Sequence, residues 1–404
     1  MSKNILLHIH TGPGRHEEIL IEELKKHKLS FSYSNHFPRY QFGVYEKGNL
    51  QLSDGSPLYD EFNKWIWRLK RLLPVLKNTK RHLDYTYPLY DYITRKRLRH
   101  CEVLFCWPQV SLYSMRYVKK KGGICILEYP IAHVLTWQRY LQEESKRYEI
   151  DLSQSFFSKA TIKRMLQEIE LADYISVPST FVRNSFIEHG IHSSKILMNP
   201  YGIDTSFFYP KENKEHHSQP FTLIAIGTVE LRKGVQYLLE AFQELALPKA
   251  ELKILGIMTE HFKPVAAKYK SNPNIKFLGE LDRRQTAIEM RSADVMVMPS
   301  LVEGLSLGIL ETMASGTPVI SSENAGGLDV IDEGIDGFVF PIRDTSALKE
   351  RIHWCYHNRE KLVTMGLRAR DKMADKYSTS KYGERAAKMF IPFLQKKNRD
   401  QIVI

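Results

Sequence analysis

No stretch of this 404-residue chain approaches the eighteen or so uninterrupted apolar residues of a membrane span, although 43% of its residues are hydrophobic. A soluble globular protein is expected. Cysteine is scarce: Cys101, Cys106, Cys125 and Cys355 show neither metal-ligand spacing nor a disulfide framework for a chain of this length, which leaves reduced cytoplasmic thiols. No leader is expected, because "MSKNILLHIHTGPG" holds an apolar run too brief for a signal segment and no small-residue cleavage site follows. It reads as a first buried strand. Neither "DYT" nor "DVID" is a DxD-type motif, and the fifteen histidines form no recognisable ligand spacing, so no metal and no other cofactor is expected.

Acidic residues are outnumbered, 46 against 58 lysines and arginines, for a net charge of +12. A polyanionic partner therefore has to be considered: nucleic acid, anionic lipid or a phosphorylated ligand. Much of the excess lies in residues 64–99, where eleven basic residues are opposed only by Asp84 and Asp91. Within it, "NKWIWRLKRLLPVLKNTKRH" joins Trp65, Ile66, Trp67 and Leu69 to basic neighbours. That pattern suits an amphipathic helix on an anionic membrane, and equally a surface helix with its apolar side in the core. Membrane binding would put the protein peripherally on the inner face of the cytoplasmic membrane. The aromatics follow no nucleic-acid recognition motif, so no nucleic acid is expected as a partner.

At 404 residues, two domains are expected. Short apolar runs alternate with amphipathic stretches, as in "NILLHIH" before "RHEEILIEELKKH" and "CEVLFCW" before "SLYSMRYVKK", which predicts an α/β fold with parallel sheets covered on both faces. Residues 38–100, aromatic, basic and broken by Pro57, Pro74 and Pro88, interrupt that rhythm as an insertion. Near "MNPYGIDTSFFYPKENKEHHSQP" the periodicity stops, and it restarts with "FTLIAIG". The expected division is residues 1–205, residues 206–380 and a terminal segment 381–404. In doubly wound sheets ligands lie beyond the carboxyl ends of the strands, so the loops after strands are the ones to inspect.

One such loop is "PSLVEGLSLGILETMASGTPVI", with Glu303 after a buried strand and Glu311 on the helix that follows. Eight residues of ideal helix span about 12 Å. Paired glycosidase carboxylates stand about 5 to 9.5 Å apart, so an acid/base pair is disfavoured. Two ends of one elongated ligand fit better, with sugar hydroxyls on the carboxylates and a phosphate on the helix-start amides from Gly304 through Leu305 and Ser306 to Leu307. "IGTVELRKG" supplies Arg232 and Lys233, cations to neutralise a diphosphate, or alternatively a solvated pair at a helix start. "ILEYPIAHVLTW" offers Glu128 and His133 after a first-domain strand, the histidine either at the cleft or as a hydrogen-bonded structural residue, and "TGPGRHEE" offers Gly12 and Gly14 either for close backbone approach to a phosphate or acceptor, or as a plain tight turn.

Taken in order, "GTVELRKG", "NIKFLGEL", "ADVMVMPSLVEGLSLGILETMASGTPVI" and "GFVFPIRD" make this half resemble the nucleotide-binding domain of family 4 glycosyltransferases, retaining enzymes of GT-B type. The resemblance implies two facing Rossmann-like domains around an interdomain cleft, with a C-terminal helix crossing back. It implies transfer of a sugar from a nucleotide-diphosphate-sugar donor to a glycan or lipid-linked acceptor, in keeping with bacterial surface polysaccharide synthesis. Carried over by position, it makes Glu311 the partner of the ribose, Glu303 the partner of the donor sugar, Lys233 a diphosphate clamp, and Gly279 and Glu280 neighbours of the base. His133 is its candidate for a histidine near the transferred sugar. Thr228 departs from the family, many of whose members have arginine after the glycine of "IGT"; Arg232 would have to replace that charge. Rival readings are phosphorolysis or sugar-nucleotide epimerisation on the same fold, and a non-catalytic sugar-nucleotide or membrane-binding protein.

Overall fold

The computed structural model describes residues 7–11, 15–26, 31–35, 41–46, 49–53, 64–65, 68, 83–153, 156–211 and 220–400. The first sheet contains β1 (Leu7–Thr11), β2 (Phe31–Asn35), β3 (Gln41–Glu46), β4 (Asn49–Ser53), β5 (Val103–Cys106), β6 (Ile124–Glu128), β7 (Tyr174–Val177) and β8 (Ile196–Met198). Their spatial order is β4-β3-β2-β1-β5-β6-β7-β8. The second sheet holds β9 (Phe221–Ile226), β10 (Ala250–Leu255), β11 (Ile275–Gly279), β12 (Val295–Met298), β13 (Val319–Ser322) and β14 (Gly337–Phe340), in the order β11-β10-β9-β12-β13-β14.

Every pairing in the second sheet is parallel, and the order turns about β9 and β12, leaving a crevice beyond their carboxyl ends. Strands such as β12, buried at all four positions, are continuous apolar runs because helices cover both faces. The first sheet differs from a purely parallel expectation. Residues 41–53, read from sequence as part of an insertion, pair antiparallel onto β2 and extend the sheet at its edge. Of the amphipathic stretch in residues 64–73, only Lys64, Trp65 and Arg68 lie within the described residues, and all three are exposed. The two acids of the basic segment turn inward: Asp91 is buried against Arg164 and accepts hydrogen bonds from the amides of Tyr113 and Ser114, while Asp84 accepts from Ser158 and Thr161.

Two helices lock the domains together. Val134–Tyr148, from the first domain, places Trp137 and Leu141 in the same apolar cluster as Leu223, Val235 and Val297 of the second. Thr379–Asp400 crosses back to the first domain, where Phe390 meets the edge of Phe105 at 5.1 Å. Its approach is close, since a Cβ on Gly383 would lie 2.3 Å from Cβ of Glu23. The connection between the sheets is tied to this crossing by hydrogen bonds from the Ile203 amide to the Tyr377 carbonyl and from the Thr379 amide to the Ile203 carbonyl.

Candidate functional site

Beyond β9 the chain turns through Gly227 and Thr228 into a short 3-10 turn, Leu231–Lys233, which Gly234 ends in the left-handed region at φ 67°. Glycine is required there twice over, because a Cβ would fall 1.9 Å from the carbonyl oxygen of Pro299. This contact brings the loop after β9 against the loop after β12. The amide of Leu301 donates to the carbonyl of Arg232 at 2.9 Å, and Arg232 Nη1 donates to the carbonyl of Val302, also at 2.9 Å. Residues seventy positions apart are thereby held as one rigid edge.

The charges predicted for this edge are brought together on it. Lys233 Nζ donates to Glu303 Oε2, and Arg232 Nη1 stands 3.5 Å from the same oxygen. Arg232 is further gripped by Glu230, whose Oε1 accepts from Nη2 at 2.7 Å and from Nε at 3.0 Å. Burial pushes the Glu303 carboxyl up, but Lys233, Arg232 and the Gly304 amide outweigh it and hold the group below the usual carboxylate range. Glu303 is an anion paired to two cations at neutral pH. Thr228, exposed, lines a small cavity with Gly227, Lys233, Met298 and Pro299. Glu230 was absent from the predicted set. Its signal was the "ELRK" order, which places a carboxylate two residues before the guanidinium it orients.

The Glu303 loop also touches the first domain. A Cβ on Gly304 would lie 1.8 Å from the carbonyl oxygen of Pro130, in the "EYPIAH" loop. Ser179 Oγ donates to the Gly304 carbonyl at 2.8 Å, and Thr180 donates through both its amide and its hydroxyl to Asp329. Loops from both sheets' carboxyl edges thus converge on residues 303 and 304. The helix Leu307–Ala314 begins here with no side-chain cap from Ser306.

One expected feature needs correction, and the surroundings of another are defined. Not all amides at that helix start are available to a phosphate: Gly304 donates to Glu303, and Ser306 donates to the Ala325 carbonyl at 3.2 Å. Those of Leu305 and Leu307 remain as candidates among the four, with Leu305 buried and Leu307 partly so. His133 is built into the first domain. It N-caps the helix Val134–Tyr148, its Nδ1 accepting from the Leu135 amide at 3.3 Å, and it stacks on His189 at 4.2 Å and on the edge of Phe186. Burial, with the neighbouring His189, lowers it to about 4, so it is neutral at physiological pH with the proton on Nε2.

Glu311 lies partly buried on the helix Leu307–Ala314. Gly279, at φ 71°, and Glu280 are exposed at the end of β11, where the Gly279 carbonyl accepts from the Gly256 amide at 2.7 Å. Gly12 and Gly14 lie outside the described residues. Glu128 ends β6 and is buried, which raises its carboxyl to about 8. A carboxyl whose folded value exceeds its unfolded value contributes stability fully below about pH 4.5 and loses it as pH rises toward 8. Glu128→Gln is therefore expected to gain on the wild type by a few kcal/mol between pH 5 and pH 8 in urea unfolding. A pH-independent difference between the two would remove Glu128 as the titrating group.

Among the described residues no group of three or more His, Cys, Asp or Glu side chains is arranged to hold a metal, and no helix is long and apolar enough to cross a membrane.

Comparison with known proteins agrees with this architecture. Residues 209–372 match the family model described as glycosyl transferases group 1. Sulfoquinovosyl transferase SQD2 of Arabidopsis thaliana is 28% identical over 228 residues, covering 54% of this chain and 43% of its own. The amylovoran biosynthesis glycosyltransferase AmsK of Erwinia amylovora is 25% identical over 206 residues, 48% of this chain and 50% of that one. The chain spans about half the length of the curated relatives it matches. Among solved structures, sucrose-phosphate synthase from Thermosynechococcus elongatus aligns over 97% of this chain and 100% of its own, at a TM-score of 0.70 and 15% identity. HepE of Anabaena in complex with UDP aligns over 96% and 100%, at 0.64 and 14%. The shared fold is the two-domain GT-B architecture.

Proposed function

We propose that this protein is a retaining glycosyltransferase of family 4 type, moving a sugar from a nucleotide-diphosphate donor to a glycan or lipid-linked saccharide. The observation that carries the reading is the Lys233–Glu303–Arg232 cluster at the joined carboxyl ends of β9 and β12, facing a first-domain loop across Gly304. Such a cluster is poised for exchange. A diphosphate takes over Lys233, and the released Glu303 carboxylate accepts hydrogen bonds from sugar hydroxyls. Glu311 serves the ribose, and Gly279 and Glu280 border the base. The exposed Thr228 leaves the phosphate charge to Lys233 and Arg232.

In the transfer, the bond from the anomeric carbon to the diphosphate breaks with its electron pair on the leaving oxygen. The acceptor oxygen bonds to the same face, and its proton passes to the leaving phosphate. Stabilisation falls to fixed cations and helix-start amides, whose worth rises in a site sheltered from water. His133, capping and stacked, acts by holding the "EYPIAH" loop. The UDP bound by HepE makes UDP-sugars the first donors to try, and the amylovoran biosynthesis named for AmsK supports a biosynthetic setting, for which we take a surface polysaccharide pathway first. A polysaccharide acceptor on a lipid carrier would suit the exposed Lys64, Trp65 and Arg68 if that segment rests on an anionic cytoplasmic-face membrane. Charge reversal of Lys64 and Arg68 is then expected to reduce sedimentation with anionic liposomes, and unchanged sedimentation would count against it.

The test is a thermal-shift and hydrolysis screen against UDP-, GDP- and ADP-sugars in EDTA, with Glu311→Ala alongside. One donor is expected to raise Tm in the wild type and much less in the variant. NMR of the product should show the donor's anomeric configuration kept. No response to any donor would favour a non-catalytic protein, an inverted product would defeat the same-face mechanism, and complete, reversible loss in EDTA would overturn metal independence.

A further inference from the structure

Read as a string the histidines offer no three- or four-ligand metal motif, but the structure singles out one pair. His353 and His357 stand one turn apart on the helix Thr345–His357 in the outer layer of the second domain, both exposed. Their Nε2 atoms approach to 3.0 Å, with the rings 4.3 Å apart and tilted by 58°. Histidines at i and i+4 share a helix face, the spacing by which helical metal sites present two imidazoles to one ion.

The separation has a direct geometric meaning. With metal–nitrogen bonds of about 2.0–2.1 Å, two nitrogens 3.0 Å apart subtend about 94° at the ion. That is close to the right angle between adjacent ligands in tetragonal coordination, whereas a regular tetrahedron would need about 3.3 Å between them. The surroundings support the rotamers. Tyr356 meets the His357 ring edge-on at 5.1 Å and is itself anchored by its hydroxyl, which donates to the Pro248 carbonyl at 2.8 Å. Trp354 packs on Phe338, fixing the helix against the sheet. Glu350 falls on the same helical stripe one turn before His353.

We infer that His353 and His357 form a two-imidazole surface chelate for a divalent first-row transition ion of tetragonal preference, Cu²⁺ or Ni²⁺, with water completing the coordination. The site is separate from the donor-binding edge, so its occupancy does not depend on the glycosyltransferase reading. Both imidazoles must be neutral to bind, so affinity falls as the solution is acidified.

The experiment uses the tag-free full chain and NiCl₂ alone in isothermal titration calorimetry at pH 7.5 and pH 5.5, repeated with His353→Ala and His357→Ala. One ion per chain is expected at pH 7.5. Each variant should weaken binding about tenfold or more, because the second imidazole then no longer acts at high effective concentration. Cu²⁺ added to the wild type should give an electron paramagnetic resonance signal with two equivalent nitrogens, reduced to one in either variant. Both positions are exposed, and circular dichroism will verify that the variants fold. Absence of nickel binding by the wild type, or retention of full affinity by both variants, overturns the chelate.

Discussion

Lys233→Met is expected to lower the rate of sugar transfer by about 10²–10³-fold while leaving the protein folded, the magnitude associated with losing one preorganised group at a developing negative charge. The change removes the ammonium that donates to Glu303 and lines the cavity beside Thr228, keeping a side chain of similar length. Stability should move little. Glu303 keeps Arg232 at 3.5 Å and the Gly304 amide, and Arg232 keeps its two hydrogen bonds to Glu230. Activity and Tm are thus predicted to separate, and the separation is the informative readout.

The companion change, Glu303→Gln, distinguishes a charge role from a packing role. If the carboxylate accepts from donor-sugar hydroxyls, the amide retains one acceptor oxygen and loses the negative charge, so the rate should fall while binding of the free nucleoside diphosphate holds or tightens. The tightening follows because Lys233 loses its anionic competitor for the phosphate. Equal losses in diphosphate affinity and rate would make Glu303 a scaffold for Lys233 alone.

The second domain was legible because its signals are local. β9 and β12 are apolar runs buried almost throughout, and Arg232, Lys233 and Glu303 lie just beyond them, so placing those two strands placed the charges. The strand pair of residues 41–53 was harder to see, since it lies inside a basic, aromatic and proline-interrupted region whose composition masked it. His133 was legible only in part. Its position after a strand is the same for a cleft residue and for a helix cap, and the stacking with His189, 56 positions away, is beyond any local pattern. The amides at the start of Leu307–Ala314 were overcounted for a similar reason, because Ser306 donates to Ala325 from a different loop.

Least legible of all was the residue expected to matter most for holding the domains together. Glu144, fully buried on the first-domain helix Val134–Tyr148, accepts from Gln236 Nε2 at 3.0 Å, from the Tyr237 hydroxyl at 2.9 Å and from Arg343 Nε at 2.7 Å. Its partners lie 92, 93 and 199 positions away in sequence, beyond any pattern a helix or strand period reveals. Arg343 is held at φ 65°, in the left-handed region, while it makes this contact. Glu144→Ala is expected to destabilise the protein by about 1–3 kcal/mol, because the Tyr237 hydroxyl and Arg343 Nε lose their acceptor, while Arg343 keeps Glu143 at 2.8 Å and Gln236 keeps the Leu231 carbonyl. Pairing Glu144→Leu with Arg343→Met removes the charge from both sides, so the double variant should lose less than the sum of the single losses. Urea unfolding of all four proteins measures this coupling. Additive losses would mean that apolar packing around Trp137 and Leu141, rather than the Glu144 cluster, governs how the first domain holds the second.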